Sequence, residues 1–501
     1  MPFKPGVLDY EGVFPIRRRR DDRSEVEESA SSQKLKSIER DAITFDERRD
    51  VLTPGIAPQQ AATSNKLIWP RSHAISFVCL FIFSVVLYVR PYEAIPALSS
   101  FKSMAFFTGL VTLVIFAATQ LATEGNLTAR PREINLVLLL GVAALLSMPM
   151  AVDPAAAWKT FSEMLVKTIV IFVVFVNVVR TERRLQLLLL LIIAVSLYLS
   201  ANAINDYRLG LFKVGEMETQ RIAGRIKGLF ENSNDLALHL VTIFPIAVAL
   251  GLSKRDPVRK LIYIGIAGVM VAAVVVTFSR GGFLGLLAAA FILIRRLGRK
   301  NRVATTSALV FAVIVFLALA PGAYSGRLST IFNSAADVTM SSTQRTDILK
   351  RSIWVTLRYP LFGVGVGNFH YKSIHELETH NAYTQVGAEM GIAAMVCYIL
   401  FLIHPLRRMR LVEKESYERP ERRKFFYLSI GLQASLVGYM VSSFFGAVAY
   451  QWYVYYLVGY AVCLHRLFLI EHGSGTERQL WEHPFAKKRK PVVDSTQESA
   501  A

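Results

Sequence analysis

LIYIGIAGVMVAAVVVTF at 261–278, SRGG at 279–282 and FLGLLAAAFILI at 283–294 make two uncharged apolar runs joined by a few residues that include one arginine. A bilayer core of about 30 Å takes roughly 20 apolar residues as a helix, so each run reads as a membrane span and the joint between them as a tight hairpin. The runs are continuous rather than alternating, which argues for helices and against a transmembrane barrel. Runs of this kind recur through the chain. We place about twelve, at 73–89, 101–122, 133–150, 163–180, 185–202, 235–252, 261–278, 282–296, 303–320, 384–404, 426–444 and 448–468. The expected fold class is an all-α polytopic membrane protein.

Composition agrees with that reading. The 501 residues are 53% hydrophobic and the mean hydropathy is +0.37, too apolar for a soluble surface. The net charge of +19 raises nucleic acid as a partner, but the basic residues sit between apolar runs and in the tails rather than along one soluble face, so no nucleic-acid partner is expected. Cys79, Cys397 and Cys463 all lie inside apolar runs. They fit small packing residues better than disulfides or thiolate ligands.

Charge also orients the chain. Lys and Arg collect in alternate loops: Arg130/Arg132, Arg180/Arg183/Arg184, Lys254/Arg255/Arg259/Lys260, Arg295/Arg296/Arg299/Lys300/Arg302 and the dense 407–424 segment. By the positive-inside rule that side is cytoplasmic, and an even span count puts both termini there. The expected organisation is a disordered cytoplasmic tail over 1–66, a membrane domain over 67–470 and a cytoplasmic tail over 471–501. The opposite side carries two sizeable loops, about 203–234 and 321–383. Within the larger one, STQRTDILKRSIWVTLR at 342–358 mixes apolar residues, Trp354 and several cations, the composition of a helix at the headgroup boundary.

The polar residues most awkward for a membrane protein cluster at this outer side. Arg280 stands in SRGG at a span boundary, against the positive-inside trend, beside Gly281 and Gly282, which allow a tight turn or a close backbone approach. In RIKGLFENSN at 225–234, Arg225 precedes Asn232 and Asn234 at the start of a span. Helix N-terminal amides and a guanidinium together make an anion site, while an asparagine there also reads as a simple N-cap. YPLFGVGVGNFH at 359–370 has Gly363, Gly365 and Gly367 without a dinucleotide fingerprint, so these glycines are expected to serve tight backbone geometry, with Asn368 bonding locally. In THNAYTQVGAEMG at 379–391, Asn381, Gln385 and Glu389 recur every four residues and share one helix face, which must meet a polar interior. His380 precedes that helix, and its N-terminus is expected to keep the imidazole neutral and able to accept a proton. No Walker A motif is present, and no His/Asp/Glu set has metal-ligand spacing. We expect no metal and no cofactor.

Together these segments resemble the O-antigen ligase and polymerase superfamily of bacterial envelope glycan assembly. The likeness runs from about residue 221 to 400 and rests on RIKGLFENSN at 225–234, SRGG at 279–282, Arg345 followed by PLFGVGVGNF at 360–369, and HNAY with EMG at 380–391; RPYEAIPAL at 90–98 adds to it. Ser233 departs from the family, which commonly has proline between the two asparagines, and so does Ala393, where a glycine is frequent. The resemblance implies a GT-C-like glycosyltransferase of the bacterial inner membrane with a large periplasmic loop. It would pass a glycan from an undecaprenyl-pyrophosphate-linked donor to a hydroxyl of a glycan, lipid A core or protein acceptor. On that reading Arg225 and Arg280 hold the donor phosphates, His380 is the general base or an acceptor-positioning group, and Arg345, Asn234, Asn381 and Glu389 contact substrate. Polymerase and ligase both fit, and a non-catalytic transporter of lipid-linked sugar is the third reading; a transporter predicts internal repeats and midplane polar residues, which the sequence lacks.

Overall fold

The computed structural model describes residues 73–94, 103–125, 127–129, 131–214, 220–222, 224, 230, 232–298 and 341–472. The expected tail 1–66, the run 303–320, the portion 321–340 of the large loop, Arg225 and nearly all of the C-terminal tail lie outside these residues. Thirteen helices organise what is described: α1 (Ala74–Val89), α2 (Met104–Glu124), α3 (Arg132–Ser147), α4 (Pro154–Val178), α5 (Glu182–Arg208), α6 (Ser233–Ser253), α7 (Pro257–Val276), α8 (Arg280–Leu297), α9 (Ser341–Arg358), α10 (Ala382–Met390), α11 (Ile392–Ser416), α12 (Arg423–Ser442) and α13 (Trp452–His472). The sole sheet among the described residues is a two-residue antiparallel pairing of Lys213–Val214 with Gln220–Arg221. The chain is an all-α polytopic membrane protein.

Nine helices among the described residues are long and apolar enough to cross a membrane. This is fewer than the expected twelve for identifiable reasons. α1 has only 16 residues, α8 carries Arg280, Arg295 and Arg296 at its ends, and one expected run lies outside the described residues. The apolar run at 384–404 is also not one helix. It breaks at Gly391, which has a φ of 89°, and the amide of Ile392 leaves the helical ladder to donate to the carbonyl of Pro360 at 2.8 Å. The membrane span therefore starts at Ile392, and α10 is a separate short helix at the membrane boundary.

Local chemistry sets where the spans begin. Asp153 accepts from the amides of Ala155 and Ala156 at 2.9 and 3.0 Å, ahead of Pro154 at the first helical position of α4. Asp256 and Pro257 open α7 in the same way. Thr181 caps α5, accepting from the Arg184 amide at 3.3 Å. Each side-chain acceptor satisfies an amide that the first turn leaves without a helical partner.

α6 and α13 form the interior, with 83% of each span window buried, whereas α2 is only 17% buried. Phe106, Phe107, Leu110, Val111 and Val114 of α2 accordingly face outward as an apolar surface suited to lipid tails. Small residues allow the central helices to approach. A Cβ on Gly431 of α12 would stand 2.5 Å from that of Ala249 on α6, and one on Gly438 would stand 2.9 Å from Val241. Close backbone packing of this kind replaces the hydrophobic driving force that lipid removes.

The two ends of the bundle differ in charge. At one end Arg408 pairs with buried Glu133 at 2.8 Å, Lys424 with Glu182 at 2.7 Å and Arg296 with Glu413 at 3.5 Å. Every one of these residues belongs to the side expected to be cytoplasmic, so the alternating pattern read from the loops is consistent with the packing. We call this the basic end. α9 packs against α10 at the opposite end. It buries Ile348 and Val355 and leaves Trp354 and Leu357 exposed, with the Arg351 guanidinium 4.4 Å from the Trp354 ring centre, an amphipathic arrangement that suits a headgroup boundary.

Candidate functional site

Among the helices that begin at the end opposite the basic end, the first residues of α6, α8 and α10 carry most of the expected site. Asn232 caps α6 by accepting from the Asn234 amide at 2.9 Å. The Asn234 side chain instead reaches α8, where its Oδ1 accepts from the Ser279 hydroxyl at 2.8 Å. Ser279 in turn caps α8 by accepting from the Gly282 amide at 3.1 Å. One chain of hydrogen bonds thus joins segments 45 residues apart and sets Arg280, half-buried, as the first residue of α8. Gly281 and Gly282 serve close approach and not the turn. A Cβ on Gly282 would stand 2.5 Å from that of Ala237, and one on Gly281 would stand 2.8 Å from Phe445. The turn is made by Phe278, whose φ is 54°.

α10 supplies the histidine. Asn381 caps this helix, accepting from the amides of Tyr383 and Thr384 at 2.9 and 3.0 Å. His380 precedes the cap with a φ of 48°, a left-handed conformation that costs energy in a residue with a Cβ. Burial, together with the nearby charge of Arg345, pushes its pKa down to about 4. The imidazole is therefore neutral at pH 7 as the sequence predicts, but burial and a cation are the causes, where the sequence pointed to the helix N-terminus. The structure brings Arg345 and His380 into electrostatic reach of each other.

The end of α12 ties α8 and α10 together. Ser442 donates to the carbonyl of Gly281 at 3.2 Å. Tyr383 of α10 donates to the carbonyl of Met440 at 2.7 Å, and Ser443 donates to the Tyr383 hydroxyl at 3.4 Å. The carboxylates of Asp235 on α6 and Glu378 before α10 are also within electrostatic reach of each other. The starts of α6, α8 and α10 thus meet around the turn at Ser443–Phe445. Aligned amides at helix N-termini carry partial positive charge, to which Arg280 and Arg345 add and which the carboxylates of Asp235 and Glu378 oppose.

The polar stripe of α10 meets protein. Gln385 accepts from the amide of Ala449 at 3.2 Å. Glu389 is buried and accepts from the Gly367 amide at 2.8 Å and from the Tyr450 hydroxyl at 2.7 Å. Burial pushes the Glu389 pKa up to about 7, against the opposing pull of those two hydrogen bonds. The glycine-rich loop closes over the same helix: the Val364 and Gly365 amides donate to the carbonyls of Ala388 and Glu389 at 2.9 and 3.0 Å. Gly363, Gly365 and Gly367 all have positive φ, and a side chain on them would strike Glu389, Ala151 and Thr160 respectively. Asn368 bonds locally to the Val366 carbonyl, as expected, and also accepts from the Asp153 amide at 2.6 Å, across 215 residues. Tyr450 and Asp153 are absent from the sequence reading, because an aromatic in an apolar run and a helix cap give no local sign of distant partners.

Gly391 offers a direct test of this clamp. Its positive φ and the carbonyl of Leu361, which an added Cβ would strike, forbid a side chain. Gly391→Ala is expected to destabilise the protein by about 1–3 kcal/mol. Gly268→Ala, where nothing lies within 4 Å of the added carbon, is expected to leave the thermal midpoint in detergent unchanged or raised. Equal midpoints for the two variants would overturn this account of the loop.

Among the described residues, no group of three or more His, Cys, Asp and Glu side chains gathers in a way that could hold a metal ion. The fold and the polar end together define a polytopic helical membrane protein whose histidine and arginines stand at one membrane boundary. Residues 265–399 match the family model described as O-antigen ligase, so this stretch of the chain is similar to that family, in line with the resemblance read from the motifs. The match supports a glycan-processing membrane protein of that type. The matched stretch contains Arg280, Arg345, His380, Asn381 and Glu389, while Arg225 and Asn234 precede it. No curated protein matches the chain.

Proposed function

We propose that the protein transfers a glycan from an undecaprenyl-pyrophosphate-linked donor to an acceptor hydroxyl at the periplasmic face of the inner membrane. The observation that supports this most is the meeting of three helix N-termini with Arg280, Arg345 and His380 at one membrane boundary. The chemistry needs little more. The acceptor oxygen attacks the anomeric carbon, the bond from that carbon to the pyrophosphate oxygen breaks, and the electron pair leaves with the lipid pyrophosphate. Cations that hold the departing anion stabilise charge as it develops. In this proposal Arg280 and Arg225 take the pyrophosphate, Asn234 positions α8 through Ser279, Arg345 contacts sugar or phosphate, and His380 receives the acceptor proton. Asn381 and Glu389 act by holding α10 and the glycine-rich loop in place, a positioning role.

The low pKa of His380 fits this sequence of events. A base with a pKa near 4 is weak at pH 7. A bound pyrophosphate would offset the nearby charge of Arg345, removing one of the two causes of that depression. The base would gain strength only when the donor is in place, which would disfavour proton uptake in the empty site.

The proposed orientation has its own test, since the site must face the periplasm where glycans are assembled. A reporter fused after Ser373 is expected to read extracytoplasmic, and one fused after Glu415 cytoplasmic. The reverse result would put the site on the wrong side for this substrate and end the proposal. The activity test is a reconstituted assay with purified undecaprenyl-pyrophosphate glycan, in which the native protein is expected to release undecaprenyl pyrophosphate in step with acceptor glycosylation. No such release, from correctly inserted protein offered glycan, lipid A core and protein acceptors, would refute it.

A further inference from the structure

At the basic end, away from the site above, a cavity of about 510 Å³ opens between the ends of α6, α8, α11 and α12. Arg255, Arg296, Arg419 and Arg423 line it, against one lining carboxylate, that of Glu418. Glu413 takes part of the charge of Arg296 at 3.5 Å, so the wall keeps an excess of positive charge. Its other side is apolar, formed in part by Leu252 and Phe426. Three polar atoms of lining residues are buried without a hydrogen-bond partner: the Ser416 hydroxyl, on a residue only 1% exposed, and the Nε atoms of Arg296 and Arg423. Buried donors without partners are costly and mark places where a further group completes the hydrogen bonding.

We propose that this cavity binds a phosphate group, with the headgroup of an anionic membrane lipid as its occupant. Four guanidinium groups line one space; Arg296 bonds Glu413 and Arg423 bonds the carbonyls of Leu252 and Lys254 through one nitrogen each, and the exposed forks of Arg255 and Arg419 match the oxygens of a phosphate better than a lone carboxylate. The cavity lies where four membrane-embedded helices end, so a phosphate there can be continuous with acyl chains in the bilayer, along the apolar wall. A bound headgroup would pin the ends of α6, α8 and α12, whose opposite ends build the site around Asn234, Arg280 and Ser443. This inference concerns stability at the basic end and does not depend on the reaction proposed above.

The test uses purified full-length protein in neutral detergent, with thermal unfolding followed during titration with phosphatidylglycerol, phosphatidylcholine or inorganic phosphate. Native protein is expected to gain thermal stability with phosphatidylglycerol and not with phosphatidylcholine. Arg255 and Arg419 are both exposed, so the Arg255→Ala/Arg419→Ala variant is expected to fold with an unchanged midpoint in detergent alone and to need at least fivefold more phosphatidylglycerol for the same gain. Should that variant not fold, Arg255→Lys/Arg419→Lys provides the same comparison with the charge kept and the fork lost. Lys260→Ala/Lys414→Ala, which removes two charges from the same end outside the cavity, is expected to respond as the native protein does. A gain from inorganic phosphate as well would assign the site to soluble phosphate compounds in addition to lipid. Equal gains from phosphatidylcholine and phosphatidylglycerol, or an undiminished response in the cavity variant, would overturn the proposal.

Discussion

Glycan transfer by Arg280→Lys is expected to fall about 10²–10³-fold, close to the loss in Arg280→Ala, because removing one fixed donor from a charge-stabilising site typically costs that much. Lysine keeps the charge but loses the planar fork that meets two phosphate oxygens at once. The position allows little adjustment. Arg280 follows the Ser279 cap, which is itself held by Asn234 at 2.8 Å, and Gly281 and Gly282 fix the helix start against Phe445 and Ala237. The shorter, flexible lysine ammonium cannot recover the geometry by moving the backbone. The measurement is single-turnover transfer by correctly inserted protein in proteoliposomes, with thermal midpoints compared to exclude unfolding. Near-native transfer by Arg280→Ala would remove this arginine from the mechanism.

Replacing His380 is expected to cost about 10²–10⁴-fold in transfer, the range for loss of a general base, with donor binding largely retained. His380→Gln would restore transfer only in part, since an amide hydrogen-bonds but does not take a proton at neutral pH. The pH dependence discriminates further. With the pKa pushed down to about 4 by burial and Arg345, the imidazole stays neutral well below the ordinary histidine range. Activity of the native protein should therefore persist through pH 6.5 and decline only at lower pH, and His380→Gln should lack that decline. The same shift affects stability. A group whose charged form is disfavoured in the folded state contributes its full stability above the unfolded pKa of about 6.5 and loses it as pH falls toward the folded value. The native protein should accordingly lose stability on acidification across that window more steeply than His380→Gln. Full transfer by His380→Gln with an unchanged pH profile would leave His380 a structural residue, and an equal loss of donor binding would move it into the phosphate site.

Several parts of this site were legible in the chain itself. The asparagines at 232–234 were readable as a helix cap, and Asn232 does cap α6, whereas the caps at Ser279 and Asn381 came only from the structure. The four-residue spacing of Asn381, Gln385 and Glu389 announced a shared face, and the three side chains all find hydrogen-bond partners. What that face meets was not legible. Tyr450 stands 61 residues from Glu389, and the Asp153 amide that Asn368 engages stands 215 residues away. Periodicity along one helix carries no information about which distant backbone closes against it.

Hydropathy and charge are local properties, so the sequence by itself determined that the chain crosses the membrane many times and which loops share the basic end. It also placed the unusual polar residues at the opposite end, because a charged group in hydrocarbon is costly wherever the rest of the chain lies. The tertiary structure alone decided where the apolar run at 384–404 breaks, since Gly391 yields its helical geometry to the carbonyls of Pro360 and Leu361. It decided that Gly281 and Gly282 pack helices while Phe278 makes the turn. It decided as well that Arg345 stands near His380 and helps to keep it neutral. These outcomes depend on which surfaces come within a few ångströms of one another, a property of packing that hydropathy along the chain does not encode.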